Sequence, residues 1–281
     1  MKFADLHLHT RFSDGTFTPE ELVWHAQKHG LACIALTDHD TVEGCDRAAA
    51  AGAKAGVEFI PGTELTAELG DTEVHIIGYF LDTQNQLLLE KIAKFQAVRQ
   101  NRIHEMVAAL NLIGIPLRAE SVFALANCKS PGRPHVARAM VKEKLIGNLD
   151  EAFERYLKKG RPAWVPKTKM SALEAVELIH QADGLAVMAH PGLNHNDGII
   201  PELVEAGLDG IECFHTKHST TMVERYLEFA EKHHLLVTGG SDCHGFSKKA
   251  PLIGTVRLPY EHVERLRAAW QNRKSEIGNR K

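Results

Sequence analysis

Apolar runs alternate with amphipathic stretches of helical period along the first part of the chain. The runs predict strands at 2–8, 31–36, 57–60 and 73–80, and the amphipathic stretches predict helices that begin after Thr18 and at residue 42. Thr18 is followed by a proline and then by Glu21, the pattern of a capping box with proline at the first helical position. This alternation is typical of a parallel sheet wrapped by helices, so we predict the α/β class.

The pattern changes after Asp82, where helical stretches follow one another at 84–111, 119–127, 134–145 and 149–159. Alternation resumes at Ser171, whose capping box opens another helix, and strands are predicted at 185–189, 210–214 and 235–238. A length of 281 residues suits a single α/β barrel with an insertion. We therefore predict a barrel made of 1–83 and 166–281, which holds the reactive site, and a mainly helical insertion at 84–165, which determines specificity.

The composition is that of an ordinary globular protein, with 44% hydrophobic residues, 25% charged residues and a formal net charge of -3. This balance of charge argues against a protein that coats nucleic acid. No apolar run approaches the ~20 residues of a membrane-spanning helix, and Asp5 interrupts the segment where a signal peptide would be apolar. The five cysteines are scattered without a CxxC pair. We expect a cytoplasmic protein with reduced cysteines, no membrane contact and no obligate protein partner.

Histidine is frequent, at 17 of 281 residues, and many histidines stand beside acidic residues at the ends of predicted strands. In a parallel barrel the carboxyl ends of the strands meet at one face, so side chains that follow the strands converge there. His7 and His9 are two positions apart, and the period of two in a strand directs both imidazoles to one side. The nine candidate ligands are His7, His9, Asp14, His39, Glu64, His75, His190, Asp242 and His244.

Nine imidazoles and carboxylates exceed what one catalytic cation needs, since such sites usually have about three protein ligands. We therefore predict two or three divalent metal ions. Mixed nitrogen and oxygen ligands suit Mn²⁺, which is our first choice, as well as Fe²⁺ or Zn²⁺. Such a cluster activates a water for attack on a phosphoryl group. Glu64 is the predicted bridging ligand, and Asp14 and His39 complete the predicted catalytic set.

Three more acids, Asp5, Asp38 and Asp40, stand next to the predicted ligands. We predict that at least one of them accepts an imidazole N–H and so orients a metal ligand. A solvated acid in a turn is an equally good interpretation of Asp40. Strand alternation turns Cys243 away from the ligands on either side of it, so we predict that its side chain is buried packing.

The predicted insertion carries groups that bind anions. Arg133 and His135 flank a proline at a predicted helix start, where backbone N–H groups and the helix dipole would join them in binding phosphate. Arg99 and Arg102 share one helix face, although a solvated charged face is the other interpretation of this pair. A basic stretch that ends near Trp164 adds an aromatic ring that stacks on a base, unless it is a domain junction.

These motifs, in this order, resemble the PHP (polymerase and histidinol phosphatase) family over nearly the whole chain. The segments that carry the resemblance are 5–10 (DLHLHT), 13–15 (SDG), 37–40 (TDHD), 62–64 (GTE), 74–78 (VHIIG), 189–191 (AHP) and 241–244 (SDCH). The resemblance implies a distorted (β/α)7 TIM-like barrel, a metal cluster at its mouth that is usually trinuclear, and hydrolysis of phosphoesters.

The same resemblance implies how the ligands divide among the metals. One metal would be held by His7, His9, Glu64 and Asp242, a second by Glu64, His75 and His190, and a third by Asp14, His39 and His244. Arg102, the pair Arg133 and His135, and the stretch 156–161 resemble the branch that acts on nucleoside 3′,5′-bisphosphates and on short 5′-phosphorylated RNA. The implied reaction is removal of the 3′-phosphate of a bisphosphate, 5′→3′ trimming of short RNA, or both.

The segment 212–218 departs from that branch, because it is bulkier and more basic than the small residues expected there. His215 and His218 are interpreted either as substrate contacts or as surface histidines. The candidate substrate contacts are Arg102, Arg133, His135, Arg99 and His218.

Other classes of function compete with a PHP phosphoesterase. A phosphatase of the histidinol-phosphate type needs an acidic pocket for the ammonium group of its substrate, and the sequence does not locate one. An amidohydrolase-like metal hydrolase also uses an HxH pair and a late aspartate, but it does not need the third ligand group of Asp14, His39 and His244. A non-catalytic PHP module would have lost ligands, and all nine are present. We therefore predict a phosphoric ester hydrolase with a small phosphorylated substrate, a nucleotide or a short RNA.

Overall fold

One mixed sheet lies at the centre of the protein in this computed structural model, which describes residues 1–166, 170–247 and 250–278. Its strands are β1 (Phe3–Asp5), β2 (Cys33–Leu36), β3 (Glu58–Leu69), β4 (Thr72–Tyr79), β5 (Met170–Ser171), β6 (Leu185–Met188), β7 (Gly210–His215), β8 (Leu236–Gly240) and β9 (Leu258–Pro259). Neighbours follow the order β8-β7-β6-β4-β3-β2-β1-β9, and β5 pairs with β3 beside this path. Every residue of β2 and β6 is buried, as expected for strands covered on both faces.

The sheet curls into a nearly closed barrel. The N–H of Leu6 donates to the carbonyl of Gly239 at 3.1 Å, and the N–H of His9 donates to the carbonyl of Cys243 at 3.0 Å, so the two ends of the sheet meet. A Cβ on Gly240 would lie 2.3 Å from the Cβ of His7, so only glycine permits this approach. The predicted fold, an α/β distorted TIM-like barrel with a mainly helical insertion, is confirmed.

The predicted parallel sheet is interrupted at β4, which runs antiparallel to both β3 and β6, and at β9, which runs antiparallel to β1. Gly70, with a φ of 57°, and Asp71 form the turn between β3 and β4. A turn this short leaves no room for a crossover helix, so the two strands must run antiparallel. β3 also extends beyond the predicted strand end at residue 60, because β4 pairs with it from residue 62 to residue 69. Glu64 therefore lies within a strand and not after one.

Helices surround the barrel and form the insertion. They are α1 (Pro19–Lys28), α2 (Cys45–Ala55), α3 (Gln86–Leu112), α4 (Ala119–Ala126), α5 (Arg133–Lys142), α6 (Leu149–Ala152), α7 (Ala172–Gln181), α8 (Ile200–Glu205), α9 (Thr220–Lys232) and α10 (Tyr260–Gly278), and a π-helix at Phe153–Leu157 continues α6. The predicted capping boxes at Thr18 and Ser171 are both formed. In the described ranges, no helix has the length and apolar character that crossing a membrane requires.

The insertion has an apolar core of its own, to which α3 contributes only in part. Ile103 and Met106 in the second half of α3 pack with Met140 of α5 in this core. Leu88 and Ile92 in the first half of α3 pack instead in the core of the barrel. The 27-residue helix α3 thus ties the insertion to the barrel. The domain boundaries at 83/84 and 165/166 stay a prediction.

Candidate metal centre

The barrel brings the nine candidate ligands into one cluster, seven from segments that follow strands and two, Glu64 and His75, from within β3 and β4. His7 and His9 follow β1, His39 follows β2, and the parallel direction of these strands places their carboxyl ends side by side. The bridge between Leu8 and Cys243 brings the segment after β8 to the same place. Within the described residues, ligand atoms lie within 4.8 Å of one another in four groups, which are His9/Asp14/His39/His244, His7/Glu64/His190, His7/His9/Asp242 and His39/Glu64/His75.

Glu64 lies at the centre of the cluster and faces different imidazoles with its two oxygens. Its Oε2 lies 3.4 Å from the Nε2 atoms of both His7 and His9. Its Oε1 lies 2.7 Å from Nδ1 of His75 and 3.0 Å from Nε2 of His190. One carboxylate therefore stands between two sets of nitrogen ligands, which is the geometry of a bridging ligand.

The segment after β8 supplies two further ligands on the other side of His9. Oδ1 of Asp242 lies 3.3 Å from Nε2 of His9, and Nε2 of His244 lies 3.1 Å from Oδ1 of Asp14. Asp242 has a φ of 53° and His190 a φ of 28°, a left-handed conformation that is strained for side chains of this kind. The fold thus holds two of the candidate ligands in costly backbone conformations, as is frequent at functional sites.

Many of the ligand atoms are buried without a hydrogen bond. Among the described residues, such atoms include His7 Nε2, both ring nitrogens of His9, Asp14 Oδ1, His39 Nδ1, Glu64 Oε2 and His190 Nδ1. Nδ1 of His39 is only 3.0 Å from Oε2 of Glu64, yet the two atoms are not aligned for a hydrogen bond. Buried polar atoms without partners are costly. Divalent cations among them would remove that cost, so the donor set fits metal ions.

The electrostatics of the cluster favour metal-binding protonation states at three of the ligands. Burial opposes ionisation of Glu64, but His39, His75 and His7 outweigh it and hold the pKa of this carboxyl well below its usual range. Burial lowers the pKa of His9 and the pKa of His39. Glu64 is therefore held as the charged carboxylate, and burial favours the neutral form of the His9 and His39 imidazoles, which are the forms that bind a metal.

His244 differs, because two carboxylates face it. Burial opposes its protonation, but Asp14 and then Asp242 outweigh burial and raise the pKa of His244 to about 10. The carboxylates thus hold a proton at the place where a metal ion would sit. A metal ion that binds there displaces this proton.

The three acids predicted to orient ligands contact other groups. Asp38 accepts hydrogen bonds from Thr10 Oγ1 and Ser13 Oγ at 2.5 Å each. Asp5 accepts the backbone N–H groups of Ser241 and Gly254. These two carboxylates therefore hold the ligand-bearing loops in place and do not bond an imidazole.

Asp40 is not the solvated turn acid of the alternative interpretation. Its side chain is buried, and its Oδ2 accepts a hydrogen bond from Nε of Arg99 at 2.6 Å. This ion pair joins the loop after β2 to α3.

The acid that orients a ligand is Glu212, which the sequence analysis did not identify. It is fully buried in β7, and its Oε1 and Oε2 lie 3.1 Å and 3.2 Å from Nδ1 of His7. Oε2 also accepts the backbone N–H of His190 at 2.7 Å. Because Nδ1 of His7 donates to Glu212, Nε2 is the atom left for a metal ion. A charged residue inside an otherwise apolar predicted strand was the available signal.

His215 is also part of the centre, and its interpretation as a surface histidine is wrong. Its ring is buried, and its Nε2 lies 3.6 Å from Oδ2 of Asp242. Its ring centroid lies 5.5 Å from that of His190. His215 therefore stands beside the ligands as a further nitrogen donor.

Replacing Glu212 by glutamine is expected to weaken metal binding by about 10- to 100-fold, because the neutral amide no longer stabilises the tautomer of His7 and cannot accept both hydrogen bonds. Competition with a chelator of known affinity measures this change. Glu228→Gln, at an exposed position of α9, is the matched control. Equal metal affinity in E212Q and the control would show that Glu212 does not orient His7.

A cavity of about 740 Å³, which we call the arginine cavity, opens directly on the cluster and carries both cations and carboxylates on its wall. Its walls include His39 and His75 from the ligand set, with Arg99, Arg102, Arg133, Lys159 and Trp164, together with the acids Glu68, Asp71 and Glu73. Arg99 and Arg102 are only 7% and 8% exposed, so their interpretation as a solvated face is wrong. Burial, followed by the charges of Arg133 and Arg99, lowers the pKa of Arg102 to about 10. Arg99 is paired with Asp40, whereas Arg102 and Arg133 present guanidinium groups of the kind that bind an anion.

The other candidate substrate contacts have different surroundings. His135 is buried, and its Nδ1 accepts the N–H of Gly132 at 3.0 Å, so it shapes the turn that presents Arg133. Burial lowers the pKa of His135 to about 4, which leaves it neutral. His218 lies 2.8 Å from the carbonyl of Cys213 through Nδ1 and accepts the N–H of Gly192 through Nε2. Both of its nitrogens contact backbone groups, which does not favour the prediction that His218 contacts the substrate.

A barrel that carries a cluster of candidate metal ligands beside a cavity with arginines on its wall is the arrangement expected of a metal-dependent hydrolase of phosphate esters. The family model described as "PHP domain" matches residues 5–159, more than half of the chain. A 3′,5′-nucleoside bisphosphate phosphatase of Chromobacterium violaceum is 34% identical over 269 residues, which cover 92% of this chain and 93% of that protein. A 5′-3′ exoribonuclease of Haemophilus influenzae is 34% identical over 251 residues, 86% of this chain and 90% of that protein.

A similar protein of known structure supports the same family. A protein of Bifidobacterium adolescentis described as a metal-dependent phosphoesterase superposes with a TM-score of 0.88 and 33% identity, over 94% of this chain and 95% of that chain. The chain belongs to the PHP domain family. It is a metal-dependent phosphoesterase, and the interpretations as an amidohydrolase-like or a non-catalytic protein are less well supported.

Proposed function

We propose that this protein breaks the P–O3′ bond of small nucleotides, removing the 3′-phosphate of nucleoside 3′,5′-bisphosphates and trimming short 5′-phosphorylated RNA in the 5′→3′ direction. One observation carries the proposal, namely that the arginine cavity and the ligand cluster share His39 and His75 in one continuous wall. A molecule with two phosphates can place one in the cavity and the other at the cluster. The names of the bisphosphate phosphatase and exoribonuclease relatives support this choice.

The cluster would hold two or three divalent cations, with Mn²⁺ favoured and Fe²⁺ or Zn²⁺ also suited to nitrogen and oxygen ligands. When bound, such cations supply an activated water and neutralise charge on the phosphoryl oxygens. Glu64 would bridge two of them with its two oxygens. The proposed ligand sets are His7/His9/Glu64/Asp242, Glu64/His75/His190 and Asp14/His39/His244. The groups His7/His9/Asp242 and His9/Asp14/His39/His244 support the first and third sets, whereas the members of the second set are divided between two groups, both of which contain Glu64.

The two proposed reactions break the same bond. A water oxygen joins the phosphorus, the P–O3′ bond breaks, and O3′ takes up a proton. A bisphosphate then yields a nucleoside 5′-phosphate and inorganic phosphate. An RNA yields a nucleoside 5′-phosphate and a shortened RNA that again begins with a 5′-phosphate, so trimming can continue. One site can therefore serve both substrates.

The residues of the cavity would bind the first nucleotide. Arg102 donates through Nε to the carbonyl of Val165 at 2.9 Å, which fixes its guanidinium at the cavity wall. Arg133, at the start of α5, lines the same cavity and would complete a clamp on the 5′-phosphate, with Arg99 in the same wall. Trp164, half-buried in the same wall, would stack on the base.

Replacing Arg102 by alanine is expected to lower kcat/KM for adenosine 3′,5′-bisphosphate by about 10- to 100-fold, since a charge-assisted hydrogen bond is lost. Hydrolysis of adenosine 3′-monophosphate, which has no 5′-phosphate, should change by less than about threefold in the same variant. Arg118→Ala, at an exposed position of the insertion, is the matched control. Equal losses on both substrates would show that Arg102 does not bind the 5′-phosphate.

The proposed setting is the cytoplasm, with no obligate protein partner. All five cysteines are free thiols, which suits a reducing compartment.

The direct test of the proposal is a comparison of three substrates. Metal-stripped protein receives Mn²⁺ and is given adenosine 3′,5′-bisphosphate, histidinol phosphate and a short 5′-phosphorylated RNA in parallel. We expect rapid phosphate release from the bisphosphate and stepwise shortening of the RNA. Preference for histidinol phosphate would overturn the proposed substrate class, and no reaction with any of the three would overturn the proposed function.

A further inference from the structure

A second cavity, of about 640 Å³, adjoins the ligand cluster from the side of β8. Asp242 and His244 form part of its wall, whereas the arginine cavity is bordered by His39 and His75. Asp14 belongs to both walls. The ligand cluster therefore lies between two cavities.

The second cavity differs in chemistry from the first. Its walls include the apolar side chains of Leu149, Phe153 and Leu252, with Lys217 and Arg138 as cations and Asp150 as an acid. Arg138 donates to the backbone carbonyl of Asp14 at 2.6 Å, so the wall and a candidate metal ligand are fixed together. Apolar surface with a few cations suits a base and sugar that continue into a phosphate, and a free phosphate alone would not use the apolar part.

The proposed reaction determines which part of an RNA substrate lies on the side of the second cavity. In a bisphosphate the attacked phosphorus is esterified only to O3′ of the first nucleoside. In RNA the same phosphorus is also esterified to the 5′-oxygen of the next nucleoside. With the first nucleotide in the arginine cavity and the phosphorus at the cluster, that nucleoside must extend away from the arginines.

We propose that the second cavity binds the second nucleotide of an RNA substrate, the one joined to the attacked phosphorus. This inference rests on the proposed function. Leu149, Phe153 and Leu252 would contact the base and sugar of this nucleotide, and Lys217 would meet the phosphate that follows it. An RNA substrate would therefore fill the second cavity, whereas a bisphosphate would not enter it. Changes in this cavity should affect RNA trimming and not hydrolysis of a bisphosphate.

Phe153 marks the border between the two cavities. It lines both of them and is the first residue of the π-helix Phe153–Leu157. A π-helical turn widens the backbone locally and is often found at functional sites. In the proposed arrangement the Phe153 ring would lie between the first and second nucleotide positions.

The test compares two substrates in two variants. Lys217→Ala removes an exposed cation, and Leu149→Trp fills the cavity from α6. We expect the first cleavage of a 5′-phosphorylated triadenylate to lose about tenfold in kcat/KM in each variant, while adenosine 3′,5′-bisphosphate is hydrolysed at a rate within about twofold of the unmodified protein. Lys232→Ala removes an exposed lysine in the last turn of α9 and is the control that should leave both rates unchanged.

Each other outcome overturns the inference, and the two substrates distinguish its failure from a failure of the proposed function. Equal losses on both substrates would assign the cavity to the first nucleotide, and no loss on the triadenylate would leave it without a role in binding. A protein that hydrolyses the bisphosphate and not the triadenylate would be a phosphatase alone. Inactivity of the unmodified protein on both substrates would instead contradict the proposed function itself. Because Leu149→Trp alters packing, the melting temperature of L149W is recorded. If L149W does not fold, the rates of K217A alone decide the test.

Discussion

Glutamine in place of Glu64 is expected to reduce turnover of adenosine 3′,5′-bisphosphate by ~10³-fold or more, with a loss of bound metal. Oε1 and Oε2 of Glu64 face two different sets of imidazoles, so no other single substitution removes a ligand from two proposed metal positions at once. The amide keeps the shape of the side chain but presents one oxygen and one NH₂ group, which cannot bind a cation. Loss of the cations would remove the electrostatic stabilisation of the transition state, which is commonly the largest catalytic contribution.

Two measurements make this expectation specific. Metal analysis of E64Q should show fewer bound equivalents than the unmodified protein, and the melting temperature of the metal-free forms should remain similar. Glu202→Gln, at an exposed position of α8, should retain both activity and metal. An active E64Q enzyme with full metal content would remove Glu64 from the bridging position.

Asparagine in place of Asp14 is the second change with a large expected effect, a fall in turnover of ~10²- to 10³-fold. Asp14 has its Oδ1 near His244 and belongs to the ligand group that also contains His39. Arg138 holds the backbone of Asp14 through its carbonyl, so the loop should keep its conformation in D14N. D14N is therefore expected to lose metal from one proposed position, whereas E64Q is expected to lose metal from two.

A comparison of turnover and bound metal in D14N and E64Q tests how many metal ions are needed for activity. Steady-state phosphate release and metal content are determined side by side for D14N, E64Q and the unmodified protein. Unchanged turnover in D14N would contradict a third functional metal and leave a two-metal centre. Equal metal loss in both variants would contradict the proposed division of ligands.

The ligand cluster could be predicted because its signals are local in sequence. The spacing of His7 and His9 follows the period of a strand, and Asp242 and His244 come directly after an apolar run. Residues at the ends of parallel strands share one face of a barrel, so the convergence followed without knowledge of distances. His75 lies within β4, which is antiparallel, and joins the cluster because β4 pairs with the strand that carries Glu64.

What could not be predicted depends on contacts between distant segments. Glu212 is separated from His7 by 205 positions, and only the closure of the barrel brings them together. The partner of Arg99 is Asp40, on another element, and this pairing decides that the arginine is buried. The two backbone contacts of His218 arise from loop geometry, which neither composition nor periodicity specifies.

The central claim is that cations held by this cluster drive hydrolysis of a nucleotide phosphate ester. The most direct test is a titration of metal-stripped protein with Mn²⁺ in which bound metal and phosphate release from adenosine 3′,5′-bisphosphate are followed together. We predict no release from the stripped protein, and a rate that rises with bound metal and stops rising at two or three equivalents. Full release from stripped protein, or full metal binding without release, would contradict the claim.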